Sequence, residues 1–301
     1  MKVNVLLSSY NGEKYIKQQI ESILNQSSSC EISLWVRDDG STDKTQAILE
    51  GYQKRGLLRW YTGENLGPAK SFFDLIYNCD HADYYAFADQ DDIWLPTKIQ
   101  RAIEYLMKNN GCSLYFSNAE LLINEHRTNL LVYSRPQIHF DLPTVSCNGG
   151  MLGCTMVFDN ALRDVVISHK KPQHIFMHDY YLLVLCSAIN GRIFYDNHVT
   201  MLYRQHSNNV VGVKKDIISV LKNRISDIFT VRQVSIANQS KDILNIYGDI
   251  LGVQSKKWLN TVANYRNSLS SRIKLAFNQE VEFYSFSMAI KIRLALLLGN
   301  R

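Results

Sequence analysis

Paired cysteines are the first thing missing. The 301-residue chain has six cysteines, at positions 30, 79, 112, 147, 154 and 186, and no two of them stand in a CxxC spacing. That argues against a zinc site or a disulfide framework and fits a chain working in a reducing cytosol. No uninterrupted apolar run reaches the ~18–20 residues of a membrane-spanning helix. The opening Met1-Lys2-Val3-Asn4 does not lead into the apolar region and cleavage site of a secretion signal, so none is expected. No Gly-Lys-Ser/Thr is present, which excludes a P-loop. The glycine-rich stretch Cys147-Asn148-Gly149-Gly150-Met151-Leu152-Gly153-Cys154-Thr155 also lacks the strand-to-helix setting of a dinucleotide fingerprint. It reads as a loop that brings backbone close to a substrate, with Gly150 as the candidate, or as a plain sheet bend.

What is present is ordinary in amount and uneven in placement. Apolar residues make up 46 % of the chain, enough for one large domain or two small ones without covalent staples. The net charge of +5 is concentrated late: residues 213–301 carry 14 Lys and Arg against 6 Asp and Glu, which leaves −3 on the first 212. A basic end on a near-neutral body fits an anionic surface as partner, or a solvated helical face. The basic excess has no interleaved aromatic platform, so a nucleic-acid partner is not expected.

The first half alternates strand, polar loop and helix. Apolar β-rich runs at 3–7, 32–36, 58–61 and 84–88 read as strands, and helical spacing follows at 15–24, after Thr42-Asp43, and at 69–77. That order implies an α/β fold with a mainly parallel sheet covered on both faces, which binds ligands at the carboxyl ends of its strands. Three polar clusters fall at those ends: Ser9-Tyr10-Asn11, Asp38-Asp39, and the acids that follow residue 88. Their common edge is the geometry of one pocket.

The acidic cluster sits in Phe87-Ala88-Asp89-Gln90-Asp91-Asp92-Ile93-Trp94-Leu95-Pro96. Three carboxylates in four residues repel one another and resist burial unless something compensates them. A hard divalent cation, Mg²⁺ or Mn²⁺, holding a substrate phosphate would do so; an acidic turn capping a helix from Pro96 is the bland alternative. Beyond residue 113 the pattern loosens. Runs at 114–117, 120–123 and 193–195 read as strands. A helix begins in Phe176-Met177-His178-Asp179-Tyr180-Tyr181 with Asp179 in its first turn, either a dipole-favoured acid or a general base. Tyr203-Arg204-Gln205-His206-Ser207-Asn208-Asn209 is dense in donors; alone, His206 reads as a surface or structural histidine. The tail from residue 213 reads as helices: Ile217, Leu221, Ile225 and Phe229 recur near Lys214, Lys215, Lys222 and Arg224, and residues 283–298 are apolar but broken by Lys291 and Arg293. Such segments suit a membrane interface or a packing face between copies of the chain.

Taken in order, Leu7-Ser8-Ser9-Tyr10-Asn11-Gly12, Val36-Arg37-Asp38-Asp39-Gly40-Ser41-Thr42-Asp43, Glu64-Asn65-Leu66-Gly67 and the acidic stretch resemble the family 2 glycosyltransferases, closely over residues 1–110 and more loosely to about 210. The resemblance implies an inverting enzyme with a GT-A nucleotide-sugar fold over residues 1–212, nucleotide-sugar half 1–110 and acceptor half 111–212, followed by a basic helical region at 213–301. The form Asp-Gln-Asp-Asp-Ile-Trp-Leu-Pro, with the Met-His-Asp-Tyr-Tyr helix and Tyr-Arg-Gln-His-Ser-Asn-Asn, is similar to bacterial rhamnosyltransferases of cell-wall and capsular polysaccharide assembly, and implies dTDP-L-rhamnose as donor.

Carried over by that resemblance, Tyr10, Asn11 and Asp39 line the base and ribose pocket, with Ser9 and Asn65 beside them in the matching motifs. Asp89 and Asp91 hold Mn²⁺ or Mg²⁺, with Asp92 assisting or replacing. Asp179 is the catalytic base, and His206 falls on the metal or diphosphate. Arg204 and Lys70 are candidate donors to the diphosphate, and Gly150 and Trp94 candidate substrate contacts. His178 departs from the family, where many members have Glu before the base. The implied partners are a nucleotide-sugar donor, a polysaccharide or lipid-linked saccharide acceptor, an anionic membrane at the cytoplasmic face and a second copy through the C-terminal helices. A UDP-hexose donor, a nucleotidyltransferase and a non-catalytic sugar-nucleotide module are the competing expectations.

Overall fold

The computed structural model describes residues 1–133, 139–149, 151–205, 234–283 and 285–301. One twisted sheet of nine strands runs through it: β1 (Lys2–Ser9), β2 (Glu31–Asp38), β3 (Arg59–Thr62), β4 (Tyr84–Asp89), β5 (Ile93–Trp94), β6 (Ser113–Ile123), β7 (His126–Leu131), β8 (Val157–Asp159) and β9 (Arg192–Gln205). The strand order is β3-β2-β1-β4-β8-β6-β9-β5, with β7 hairpinned onto β6. β1 to β4 are mutually parallel, as are β6 and β9, while β8 is inserted antiparallel between β4 and β6.

Alternation in the central strands explains why both faces are covered. Val3, Val5 and Leu7 of β1 enter one apolar core, and Leu6 enters the other. β4 divides in the same way, Tyr85 and Phe87 to one side, Ala86 and Ala88 to the other. Helices α1 (Ile16–Leu24), α2 (Thr45–Lys54) and α4 (Lys98–Leu106) close the second core. Helices α3 (Pro68–Asn78), α5 (Leu142–Asn148), α6 (Asn160–Ile167) and α7 (His178–Ala188) close the first. Four further helices, α8 (Ile236–Tyr247), α9 (Val253–Asn264), α10 (Leu269–Ala276) and α11 (Phe286–Leu298), pack onto that same first core through Ile243, Leu259, Leu275 and Ile292. Trp258 donates its indole N–H to Ser146 at 2.8 Å, and Asn148 donates to the Glu282 carbonyl at 2.6 Å, so α5 is tied to the C-terminal helices.

Several sequence expectations needed revision. The runs at 114–117 and 120–123 are one strand, β6, interrupted by an irregularity at Ser117/Asn118. The strand expected at 193–195 extends to fourteen residues as β9. The glycine-rich stretch is helical at its start, in α5, and carries a single 3₁₀ turn at Gly153–Thr155. No helix among the described residues is long and apolar enough to cross a membrane. Gly150, His206, the division expected at residue 212 and the basic segment around Ile217, Leu221 and Ile225 fall outside the described residues.

Candidate active site

The parallel register brings the polar strand ends together. Ser9 of β1 stands beside Asp38 of β2, and Ser8 beside Asp89 of β4. A cavity of about 460 Å³ opens at this edge, lined on one side by Ser8, Tyr10, Asn11, Asp39 and Asn65 and on the other by Asp89, Gln90, Asp91, Gly153, His178 and Asp179.

The first wall is built from hydrogen bonds that end in carboxylates. Asp38 is buried and spent on structure: it accepts from Ser9 Oγ at 3.2 Å, the Ser41 amide at 2.8 Å and Gln46 Nε2 at 2.9 Å. Asp39 is turned toward the cavity and accepts the Leu66 and Gly67 amides at 3.0 and 2.8 Å. Gly67 has φ of 74°, a left-handed backbone that glycine adopts without a Cβ penalty, and Pro68 then opens α3. Arg37, buried beneath, pairs with Asp39 and reaches Asp74 at 3.1 Å and the Glu64 carbonyl at 3.0 Å. Asn11 also holds a left-handed φ of 48°, and its side-chain oxygen accepts the Thr42 amide at 2.9 Å. Gln90 clamps Tyr10 from across the cavity, accepting its amide at 2.9 Å and donating to its carbonyl at 3.0 Å. The Tyr10 side chain itself is left 47 % exposed, a free aromatic face at the cavity mouth.

The opposite wall concentrates negative charge. One ligand atom each from Asp89, Asp92 and Cys154 lies within 4.8 Å of the others. Burial, then the Asp91 and Asp179 charges, push Asp89 up to about 7. Burial and the Asp91 and Asp89 charges hold Asp92 well above the usual carboxylate range. Asp92 accepts the Arg204 amide at 3.0 Å through one oxygen, while its second oxygen is buried without a partner. A fully buried Lys98 lies near, its ammonium 4.8 Å from the Trp94 ring and drawn down to about 8, chiefly by burial. Clustered acids that burial and mutual charge hold above their ordinary range, with one Asp92 oxygen left without a partner, fit a divalent cation. Burial, then the Asp92 and Asp89 charges, push the Cys154 thiol well above its ordinary value, and it donates to the acids beside it. Asp89 and Asp91 face the cavity, where a cation would also meet a phosphate.

Beside these acids stands Asp179, in the first turn of α7. Burial pushes it up to about 6, against the pull of the Tyr180 and Gly153 amides. Gly153 presses directly on it: a Cβ there would lie 2.6 Å from His178 Nε2 and 3.2 Å from Asp179 Oδ2. His178 stacks on Phe72 with ring centroids 3.9 Å apart, and both its ring nitrogens are buried without partners. Burial drives its pKa down to about 3, so the ring is neutral. Phe72, Leu152 and Met177 add an apolar patch to the same cavity.

Not every residue expected at the site is there. Tyr10, Asn11, Asp39, Asn65, Asp89, Asp91 and Asp179 meet at one cavity. Ser9 is buried behind it on Asp38. Trp94 is buried in the second core, and Lys70 points to solvent from the first turn of α3; neither lines the cavity. Arg204 lies behind the acidic turn: it donates from Nε to the Asp91 carbonyl at 2.6 Å and from a terminal nitrogen to Gln18 at 2.6 Å, pairs with Glu125, and packs 4.6 Å over the Tyr15 ring. The sequence reading missed Ser8, Arg37, Phe72, Gly153 and Cys154. Ser8 and Arg37 are inside motifs already singled out, and Gly153 stands three residues from the glycine chosen; nothing in the spacing pointed to Cys154.

The family model described as Glycosyl transferase family 2 matches residues 4–165. The dTDP-rhamnosyl transferase RfbG of Shigella flexneri is 35 % identical over 217 residues, 68 % of this chain and 73 % of that protein. The UDP-Glc:alpha-D-GlcNAc-diphosphoundecaprenol beta-1,3-glucosyltransferase WfgD of Escherichia coli is 30 % identical over 161 residues, 53 % of this chain and 61 % of that protein. Among solved structures, the mannosyltransferase PcManGT of Pyrobaculum calidifontis, in complex with GDP-Man and Mn²⁺, superposes with a TM-score of 0.55 at 14 % identity, covering 99 % of this chain and 86 % of that one.

Proposed function

The chain belongs to glycosyl transferase family 2, and from that premise we propose that it moves L-rhamnose from dTDP-L-rhamnose onto a hydroxyl of a growing, lipid-linked cell-surface polysaccharide, with inversion at the anomeric carbon. The observation that carries the proposal is the convergence of Asp179 and the Asp89-Asp91 acids on one cavity at the carboxyl edge of the sheet, close enough for the Asp179 charge to raise Asp89. Two things favour rhamnose. The 35 % identical relative is described as a dTDP-rhamnosyl transferase. Phe72, Leu152 and Met177 form an apolar wall that suits the C6 methyl of a 6-deoxyhexose and offers a C6 hydroxyl no hydrogen-bond partner, a modest preference.

In this reading Tyr10, Asn11 and Asp39 receive the nucleotide. Asp179 accepts the proton of the acceptor hydroxyl as its oxygen bonds to the anomeric carbon, and the bond to the diphosphate breaks with its electron pair leaving on phosphate oxygen. Such a base contributes roughly 10²–10⁴-fold. At neutral pH a group at about 6 is ionised and close enough to working pH to take the proton efficiently. Asp89 and Asp91 would hold Mn²⁺ or Mg²⁺, which supplies positive charge beside the leaving diphosphate. Gln90 fixes the Tyr10 backbone against the acidic turn, so the nucleotide and diphosphate ends of the cavity stay in register.

Thermal stability across nucleotide sugars, with and without Mn²⁺, tests the donor. A Mn²⁺-dependent rise in Tm with dTDP-L-rhamnose and little with UDP-glucose is expected. A rise with UDP-glucose alone would keep the transferase and discard rhamnose, the outcome the glucosyltransferase relative favours. No rise with any donor would count for a non-catalytic module.

A further inference from the structure

α10 and α11 carry an apolar face with no partner among the described residues. On α11, Phe286, Ile290, Leu294 and Leu298 recur every four residues and project outward, while Ala289, Ile292, Ala295 and Leu296 face the core. On α10 and its C-cap, Leu269, Ile273 and Phe277 do the same. Exposure of these seven side chains runs from 43 % at Leu298 to 82 % at Phe286. The helices are antiparallel neighbours: Arg272 abuts Gly299, and the Arg293 guanidinium lies 5.4 Å from the Phe277 ring and 5.1 Å from the Phe283 ring. The two stripes therefore adjoin. Single exposed hydrophobics are unremarkable, but seven on adjoining stripes mark an interaction surface.

Charge chooses the partner. Residues 234–301 hold 9 Lys and Arg against 4 Asp and Glu. Lys274 stands exposed beside Ile273, and Lys256 and Lys257 are exposed on the neighbouring α9. Arg293 and Lys291 flank the α11 stripe on its two sides, as their places three residues after and one residue after Ile290 require. An apolar stripe bordered by cations is the surface of a helix lying in a lipid interface. Two copies meeting through this face would instead bring like charges together. At 13 residues and 1.5 Å per residue, α11 is about 20 Å long and too short to cross a ~30 Å hydrocarbon core.

We propose that the α10–α11 face seats the protein on an anionic lipid bilayer, with Phe286, Ile290, Leu294 and Phe277 in the headgroup–acyl boundary and the lysines of α9 and α10 on the lipid phosphates. The inference does not depend on the donor or the acceptor. Flotation of the full chain with phosphatidylglycerol-containing vesicles, against phosphatidylcholine vesicles, tests it without any sugar present. Binding to the anionic vesicles that weakens in high salt is expected, with at least a tenfold loss in the doubly substituted Ile290→Glu/Leu294→Glu protein and none in Met107→Glu, an exposed side chain on the α4 side of the sheet. Unchanged Tm in the double variant confirms that it folds. Equal binding to neutral vesicles, or equal binding by the double variant, overturns the proposal. So does a dimer in light scattering that the double variant dissociates while the wild type ignores vesicles, because the face would then belong to a second copy.

Discussion

At the scale of single residues, the proposed transfer turns on how tightly Asp179 is held. Its carboxyl has risen to about 6 through burial, so the fraction ionised, and with it the first-order rate at saturating donor, should climb through pH ~6 and level above it. Asp179→Asn is expected to abolish transfer and leave donor binding within a few-fold, measured by radiolabelled sugar transfer and by calorimetry; lost binding would show a structural residue instead. Gly153 gives a sharper test of that proposal, because it touches Asp179 and has no side chain of its own to take part in the chemistry. A methyl at Gly153 meets His178 Nε2 at 2.6 Å and Asp179 Oδ2 at 3.2 Å, and His178 cannot retreat past the Phe72 ring stacked 3.9 Å away. Gly153→Ala should therefore cost kcat roughly 10²-fold by displacing the base, with KM for the donor little changed. A loss confined to KM would mean that the methyl blocks the donor and leaves the base in place.

At the scale of elements, the acidic turn between β4 and β5 is held from behind by β9. Arg204 carries three tasks at once, on the Asp91 carbonyl, Gln18 and Glu125, and its own amide holds Asp92. Arg204→Met keeps the apolar stem and removes those donors. It should cost about 1–3 kcal/mol of stability for the buried groups left unmet and raise the Mn²⁺ concentration needed for half-maximal donor binding, since the ligating turn is no longer fixed. Unchanged metal dependence would restrict Arg204 to stability. This is also where sequence and structure diverge most. The parallel half was legible because apolar runs ending in turn residues repeat in it four times, with helical spacing between them, and the motif ends fall at strand ends by topology alone. Asp89, Asp91, Asp39 and Tyr10 were readable for that reason. β8 was not: three residues carry no periodicity, and the strand exists only because β4 and β6 offer it two edges. Arg204 was misplaced because density of donors says nothing about which face of β9 a side chain takes. A one-residue change in register turns a diphosphate ligand into a buttress.

At the scale of the whole molecule, the site is a charge imbalance that the fold tolerates and a cation would relieve. Asp89 at about 7 and Asp179 at about 6, with Asp92 also raised, keep protons in the folded chain that the unfolded chain releases near 3.8. The sign follows from linkage: where the folded state binds more protons, stability falls as pH rises. The contribution of these three acids is therefore complete below about pH 4 and is lost as pH climbs through 6 and 7. Lys98, fully buried beside them, offsets part of the cost with one charge. A divalent cation binds only the ionised acids, so its stabilisation must grow over the same range. Melting curves of the metal-free and Mn²⁺-loaded protein at pH 5.5 and 7.5 should show a larger metal-induced rise in Tm at the higher pH. Asp89→Asn should shrink that rise and flatten the decline of the metal-free protein. An equal rise at both pH values would mean that the cation binds away from these acids, and the orphaned oxygen of Asp92 would then need another partner.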